Sequence, residues 1–181
     1  MGKAPENKIN IRIAITDDLP AIERIEKDCF PDPWSAKTLR HDFLQGPGNF
    51  LVATNGTEVI GYVNLWFVAD EVQLIRIAVM SDQREQGIGT QLLARAIEEA
   101  NDRKARYLHL EVRESNTVAL DLYQRAGFVV RTKREDAYSN PREDGYLLTR
   151  ELEGRGSWVH YLSVLPAQKR SVSQRLSLCS R

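Results

Sequence analysis

Three adjacent stretches decide how this chain folds. They are Glu71-Val72-Gln73-Leu74-Ile75-Arg76-Ile77-Ala78-Val79, then Arg84-Glu85-Gln86-Gly87-Ile88-Gly89-Thr90, then Tyr107-Leu108-His109-Leu110-Glu111-Val112. The first and last have strand length and are mostly apolar. Between them Ile88, Leu92, Leu93, Ala96, Ile97 and Ala100 recur at helical spacing. Gln91, Arg95, Glu98, Glu99 and Asp102 take the other side, so residues 88–103 read as an amphipathic helix. Strand, helix and strand make one βαβ unit with a right-handed crossover. Ligands of such units sit at the carboxyl ends of the strands, beside helix N-termini.

Working outward, Ile9, Ile11, Ile13 and Ile15 alternate with other residues as in a strand. Thr16-Asp17-Asp18 offers a helix cap, and Leu19, Ile22, Ile25 and Glu26 begin a helix that Phe30-Pro31-Asp32-Pro33 stops. Ser35 caps a second helix to about Leu44. Strands are expected near 50–54 and 58–68, joined at Asn55-Gly56. Asn116 to Ala126 reads as a helix with Gly127 behind it, and 128–133 and 145–152 as closing strands. The order β-α-α-β-β-β-α-β-α-β-β predicts an α/β fold with a mixed central sheet flanked by helices.

Composition narrows the function classes. The 181 residues are 42% hydrophobic and carry no net charge, so the chain as a whole is not built to coat nucleic acid or an anionic membrane. No apolar run reaches the ~20 residues of a membrane span, and Met1 to Glu6 lacks an apolar signal core. Cys29 and Cys179 form no framework, and His41, His109 and His160 form no ligand pair. A reduced, cytoplasmic, metal-free protein is expected, with a monomer favoured. The charge is unevenly placed: residues 154–181 hold +5 and the rest −5.

Gly87 and Gly89 let backbone approach a ligand, and the helix start adds free N–H groups and a positive dipole end. That combination suits a pyrophosphate, although a plain tight turn would look the same. No Gly-Lys-Ser/Thr follows, and Leu92 stands where a dinucleotide fingerprint needs a small residue.

Arg-x-x-Gly-x-Gly at this place resembles the cofactor motif of the GNAT N-acetyltransferases. The resemblance runs on through Tyr107 to Asn116, Ala119-Leu120-Asp121-Leu122-Tyr123 and Ala126-Gly127-Phe128. Phe30-Pro31-Asp32-Pro33-Trp34-Ser35 and Arg142-Glu143-Asp144 make it most similar to the RimI branch, which acetylates alanine N-termini of ribosomal proteins. It covers about residues 9–152 and implies a GNAT fold over 9–153, after a flexible 1–8.

The resemblance implies acetyl-CoA as co-substrate and a protein N-terminus as acceptor. It puts the pyrophosphate on Arg84, Glu85, Gln86, Gly87, Ile88, Gly89 and Thr90, and pantetheine beside Asn116. Backbone of Ile77, Ala78 and Val79 would line a slot where a bulge splays strand 71–79 from its neighbour. Glu111 would take the amine proton, through water, and Tyr123 would protonate the departing thiolate. By their own chemistry both residues keep a plainer reading. Glu111 inside an apolar strand should be neutral, paired or wet, and its plainer reading is a strand-end glutamate with a salt-bridge partner such as an arginine; Tyr123 on the stripe Ala119, Leu122, Ala126 suits a core. Asn116 also suits a helix cap. Trp34 and Tyr138 are expected as walls of the acceptor groove, the latter on a loop 136–141. Cys29 is not expected to act as a nucleophile.

Two other functions stay open here: a GNAT enzyme acting on a small amine or lysine, and a non-catalytic acyl-CoA-binding module. The basic segment 154–181 follows a Gly-Arg-Gly-Ser linker. It is expected either to dock on an acidic partner such as ribosomal RNA or to be a plain extension.

Overall fold

The computed structural model describes residues 9–152. Within them the central strand, Glu71–Val79, follows the expected bounds, and its apolar side chains feed cores on both faces of a sheet. The strands are β1 (Ile9–Ile13), β2 (Gly48–Asn55), β3 (Glu58–Val68), β4 (Glu71–Val79), β5 (Tyr107–Arg113), β6 (Val129–Ser139) and β7 (Arg142–Glu151). The helices are α1 (Leu19–Cys29), α2 (Ala36–Gln45), α3 (Ile88–Asp102) and α4 (Thr117–Arg125). The seven strands lie in the order β1-β2-β3-β4-β5-β7-β6. Only β4 and β5 run parallel; the other neighbours are antiparallel. The mixed sheet and the crossover through α3 match the expectation.

Helices α3 and α4 pack on one face with Val72, Leu74, Ile77 and Val79 of β4. Helices α1 and α2 cover the other with Ile75 and Ala78. Strict alternation from Val72 and Leu74 would put Arg76 on the α3 face. It does not go there. The β3–β4 register pairs Leu65 with Leu74 but Asn64 with Arg76, so Ile75 is one extra residue on β4. This bulge turns both Ile75 and Arg76 toward α1.

Arg76 there meets Glu26, and both are buried, at 1% and 0% exposure. Its Nη1 donates to Oε2 at 2.9 Å and Oε1 at 3.1 Å. The Tyr62 hydroxyl and the Trp34 backbone N–H, at 2.6 Å, also donate to this carboxylate. The guanidinium lies 4.2 Å from the Phe30 ring centre and 5.0 Å from that of Trp34. Burial raises the Glu26 carboxyl above its ordinary value, and Arg76, Tyr62 and the Trp34 amide offset only part of that rise.

The caps follow the sequence. Ser35 Oγ accepts from Thr38 N at 3.1 Å, and Asn116 Oδ1 from Ala119 N at 3.1 Å. Gly127 closes α4 in the left-handed region, φ +82°. Two expectations need correction. The first strand stops at Ile13, leaving Ile13 and Ile15 exposed. Residues 136–139 are not loop: β6 runs to Ser139, absorbing two register shifts, and β7 starts at Arg142. The segments 1–8 and 154–181, with the tail's docking expectation, lie outside the described residues.

Glu26→Ala should destabilise the protein by roughly 3–5 kcal/mol, because it strands a buried guanidinium. At this size that is about 10 °C or more in melting temperature. The double change Glu26→Leu with Arg76→Met should recover most of the loss, and calorimetric melting of the three forms checks it.

Candidate active site

Beyond the three pairs Glu71–Tyr107, Val72–Leu108 and Gln73–His109, no ladder joins β4 to β5. From Leu74 to Val79 and from Leu110 to Arg113 the two strands face each other across an opening. Parallel strands normally continue their ladder, so the bulge at Ile75 marks where the separation starts.

The turn that leaves β4 is tied down from α1. Asp28 accepts from Ser81 N at 2.7 Å and Ser81 Oγ at 2.9 Å, and these bonds hold its carboxyl below the usual range. Cys29 Sγ donates to Val79 O at 3.2 Å, and Arg84 Nε reaches the same oxygen at 3.4 Å. Arg84 Nη2 lies 3.7 Å from Cys29 Sγ, a proximity the sequence did not suggest. Gly87 caps α3 with φ +74°, a conformation that side chains rarely adopt. Gly89 serves space instead: a Cβ there would point between Val79 and Leu122, each 4.0 Å away.

A cleft of about 1000 Å³ opens at this helix start and runs down between α3 and α4. That is the upper end of the ~300–1,000 Å³ typical of small-molecule sites. Of the predicted cofactor residues, Val79, Arg84, Glu85, Gly87, Ile88, Gly89 and Thr90 line it. Gln86 is exposed outside the wall. The Ile77 and Ala78 side chains are buried on opposite faces, leaving only their backbone toward the gap. Asn116 is buried as the α4 cap, and Thr117 and Val118 form the wall beside it. Leu93, Ile97, Val118, Leu122, Arg125 and Arg150 were not anticipated. Val118, 64% exposed, gave the one available signal: an apolar residue turned outward on a short helix.

Glu111 stands on the part of β5 that does not pair with β4 and is 2% exposed. Its Oε2 accepts from Arg134 Nη1 at 2.6 Å. The arginine partner anticipated by the plainer reading is therefore present. Tyr123 is buried with its ring edge-on to Phe128 at 5.8 Å, and burial raises its hydroxyl well above the ordinary phenol range. Tyr138 is pushed up by burial first and then by Glu111, with Tyr123 contributing, so the three groups are within electrostatic reach. The Tyr138 ring lies under Arg113, 4.1 Å from its guanidinium carbon. Gly145 makes room for it, since a Cβ there would come within 2.9 Å of Tyr138 Cε2.

The aromatic walls need correction. Trp34 is buried in the α1–α2 core, because the turn through Pro33 tucks it beneath Arg76. Tyr138, 1% exposed, belongs to the interior beside Glu111 and is no surface aromatic. The loop residue that reaches the β6–β7 hairpin is Asp32, whose Oδ1 accepts from Asn140 Nδ2 at 3.2 Å.

The family model described as Acetyltransferase (GNAT) family matches residues 19–128. The Escherichia coli (strain K12) protein named ribosomal protein bS18-alanine N-acetyltransferase is 37% identical over 135 residues, covering 74% of this chain and 90% of that one. The crystal structure of the E. coli ribosomal-protein-S18-alanine N-acetyltransferase superposes with a TM-score of 0.77 at 31% identity, covering 85% of this chain and all of that one. A GNAT acetyltransferase from Elizabethkingia anophelis, crystallised with acetyl-CoA bound, gives a TM-score of 0.68 at 26% identity, covering 81% and 99%. Family model, sequence relatives and structural neighbours agree with the cleft, the splayed strands and the glycine turn: this chain belongs to the GNAT family of acetyltransferases.

Proposed function

We propose that this protein transfers the acetyl group of acetyl-CoA directly to the N-terminal α-amine of a protein, with an alanine-starting ribosomal protein as acceptor in the cytoplasm. The observation that carries the reaction is Glu111, a buried carboxylate on the stretch of β5 that β4 leaves unpaired. The relatives' printed acceptor, the alanine of protein bS18, supports the narrower substrate.

The residues present fit acetyl-CoA. Gly87 in the left-handed region and the open space at Gly89 leave the α3 N-terminus bare for a pyrophosphate. Arg84 and Thr90 stand at the same mouth. The backbone of Ile77 to Val79 faces the opening, where its N–H groups would meet the acetyl carbonyl oxygen. Bound there, acetyl-CoA supplies an activated thioester.

Glu111 takes a proton from the α-ammonium, directly or through one water. An N-terminal amine has a pKa near 7.7–8.0, against about 10.4 for lysine, so the removal is mild near neutral pH. Tyr123 gives its hydroxyl proton to the leaving sulfur. Its raised pKa keeps the hydroxyl protonated at neutral pH, so the proton is in place when the thiolate forms. Cys29 has no part in the transfer: its thiol is buried and donates to Val79 O.

Gly87→Val should lose the melting-temperature rise that acetyl-CoA produces, through backbone strain, and Gly89→Val should lose it through bulk. A retained rise in both variants would move the cofactor elsewhere. Glu111→Gln should cut turnover by ~10²–10⁴-fold with acetyl-CoA affinity nearly intact. Tyr123→Phe should cut turnover at an unchanged melting temperature. Because burial raises the Tyr123 pKa, ionisation of this tyrosine should cause no loss of wild-type activity up to pH 9. A peptide with a blocked N-terminus should not be acetylated at all; labelling of an internal lysine at the usual rate would favour the lysine reading instead.

A further inference from the structure

Glu111 and its partner are unequally placed. The Glu111 side chain is 1% exposed and fixed on a central strand, whereas the Arg134 side chain is 40% exposed and reaches in from β6, the edge strand of the sheet. A buried carboxylate is costly without a cation, so something positive must stand beside Glu111 whenever it is ionised. Arg134 can leave that place for water at small cost, since much of it is in water already.

Local structure gives Arg134 this freedom. It precedes the second register shift of β6, and its cross-strand neighbour is Gly145, which has no side chain to hold it. Among the described residues its one ion-pair partner is Glu111. Arg113 nearby shows the contrast. It is tied to Glu143 at 3.2 Å, to Asn140 O at 2.7 Å and to Pro141 O at 3.1 Å, and lies over the Tyr138 ring. Arg113 is a fixture of the hairpin.

We propose that Arg134 is a stand-in cation: it holds the Glu111 carboxylate while the acceptor site is empty and gives way to the α-ammonium of the incoming N-terminus. This rests on the reading of Glu111 as proton acceptor. Arg134 is then a positioning residue that acts through Glu111. The ammonium carries the same charge and brings three N–H donors to the same oxygens. It loses one proton to Glu111 before attack and a second as the N–C bond forms and the C–S bond breaks. One of these two is made good at sulfur by way of Tyr123, and the other leaves to solvent. The acetylated product is a neutral amide and cannot hold the carboxylate, so Arg134 returns and the product loses its ionic contact.

Of the titratable groups here, Arg134 of β6 bonds Glu111 directly, and Tyr138 of β6 lies in the fields of Glu111 and Arg113 of β5, Tyr123 of α4 and Glu143 of β7. From β7 the residue opposite Glu111 is Leu147, which is apolar.

The test is calorimetric binding of an alanine-starting peptide to the full-length protein saturated with CoA, between pH 4.5 and 7.5. With a pKa near 7.7–8.0 the peptide amine is fully protonated over the acidic part of that range and mainly protonated at pH 7.5, so a midpoint below about pH 6.5 reports the enzyme's own groups. Arg134→Gln should bind the peptide several-fold more tightly at pH 7.5, because a competing cation is gone. Its affinity should fall on acidification at a midpoint about one to three pH units above the wild-type value, because an opposite charge near a carboxyl lowers its pKa by that much. Arg134→Lys should resemble the wild type in both respects. An N-terminally acetylated peptide should bind all three forms alike. In the Glu111→Gln background, adding Arg134→Gln should change nothing, since the two residues act as one unit. The proposal is overturned if the Arg134→Gln curve overlays the wild type, even with a lowered melting temperature. Persistence of its effect in the Glu111→Gln background overturns it equally. Wild-type turnover in Glu111→Gln would remove the reading of Glu111 and this proposal with it, whereas failure of the Arg134 variants alone leaves Glu111 in its role.

Discussion

One extra residue in a central strand governs most of what this protein can do. The bulge at Ile75 turns Arg76 to the α1 face, where Glu26 waits on the buried side of its helix. Without that turn a guanidinium would point into the apolar core beneath α3, at a cost no neighbour there could offset. With it, α1 is fastened to β4 and the chain after α1 is drawn in through the Trp34 amide. The end of α1 then reaches the turn after β4 through Asp28 and Cys29. The same irregularity begins the separation of β4 from β5. The opening between β4 and β5 and the anchoring of the loop beside it thus have a common origin.

Two of the buried glutamates, Glu26 and Glu111, sit in contrasting environments. Glu26 is enclosed with its arginine and receives hydrogen bonds from a tyrosine and an amide as well. Its charge is immobile, and removing either partner would leave the other stranded. Glu111 is just as deeply placed, but its arginine comes from the surface. The first arrangement holds two layers together. The second sets a buried carboxylate against a counter-charge that is itself partly in water.

The regular elements were legible because their periods are strong. The Leu92–Ala96–Ala100 stripe of α3, the apolar run of β4, and the caps Ser35, Asn116 and Gly127 all appear where local chemistry places them. The glycine turn before α3 was legible for the same reason, since a glycine at φ +74° and a following amphipathic helix are both local features. What could not be read depends on partners distant in sequence. Alternation is blind to a bulge, so the side taken by Arg76 was hidden. Glu26 on an apolar stripe was a visible oddity, yet its partner lies 50 residues away. Trp34 looked like an exposed loop aromatic because nothing local shows the guanidinium above it. Tyr123 could not be divided between core and site, since a tyrosine on an apolar stripe is buried in either case.

The position of β7 has a further consequence, for how the chain is made. This strand, last among the described residues, does not lie at the margin but is inserted between β5 and β6. During synthesis, which delivers the N-terminal part first, β5 therefore waits with one edge bare until residues 142–151 have emerged. Glu111 sits on that bare strand. The carboxylate and the arginine that covers it come together only when the hairpin closes against β5, so a growing chain has the α3 wall of the cleft before it has a covered Glu111. An exposed strand edge is also a template for pairing with other chains. The interval between the emergence of Arg113 and of Glu151 is thus when the nascent protein is most open to association with its neighbours.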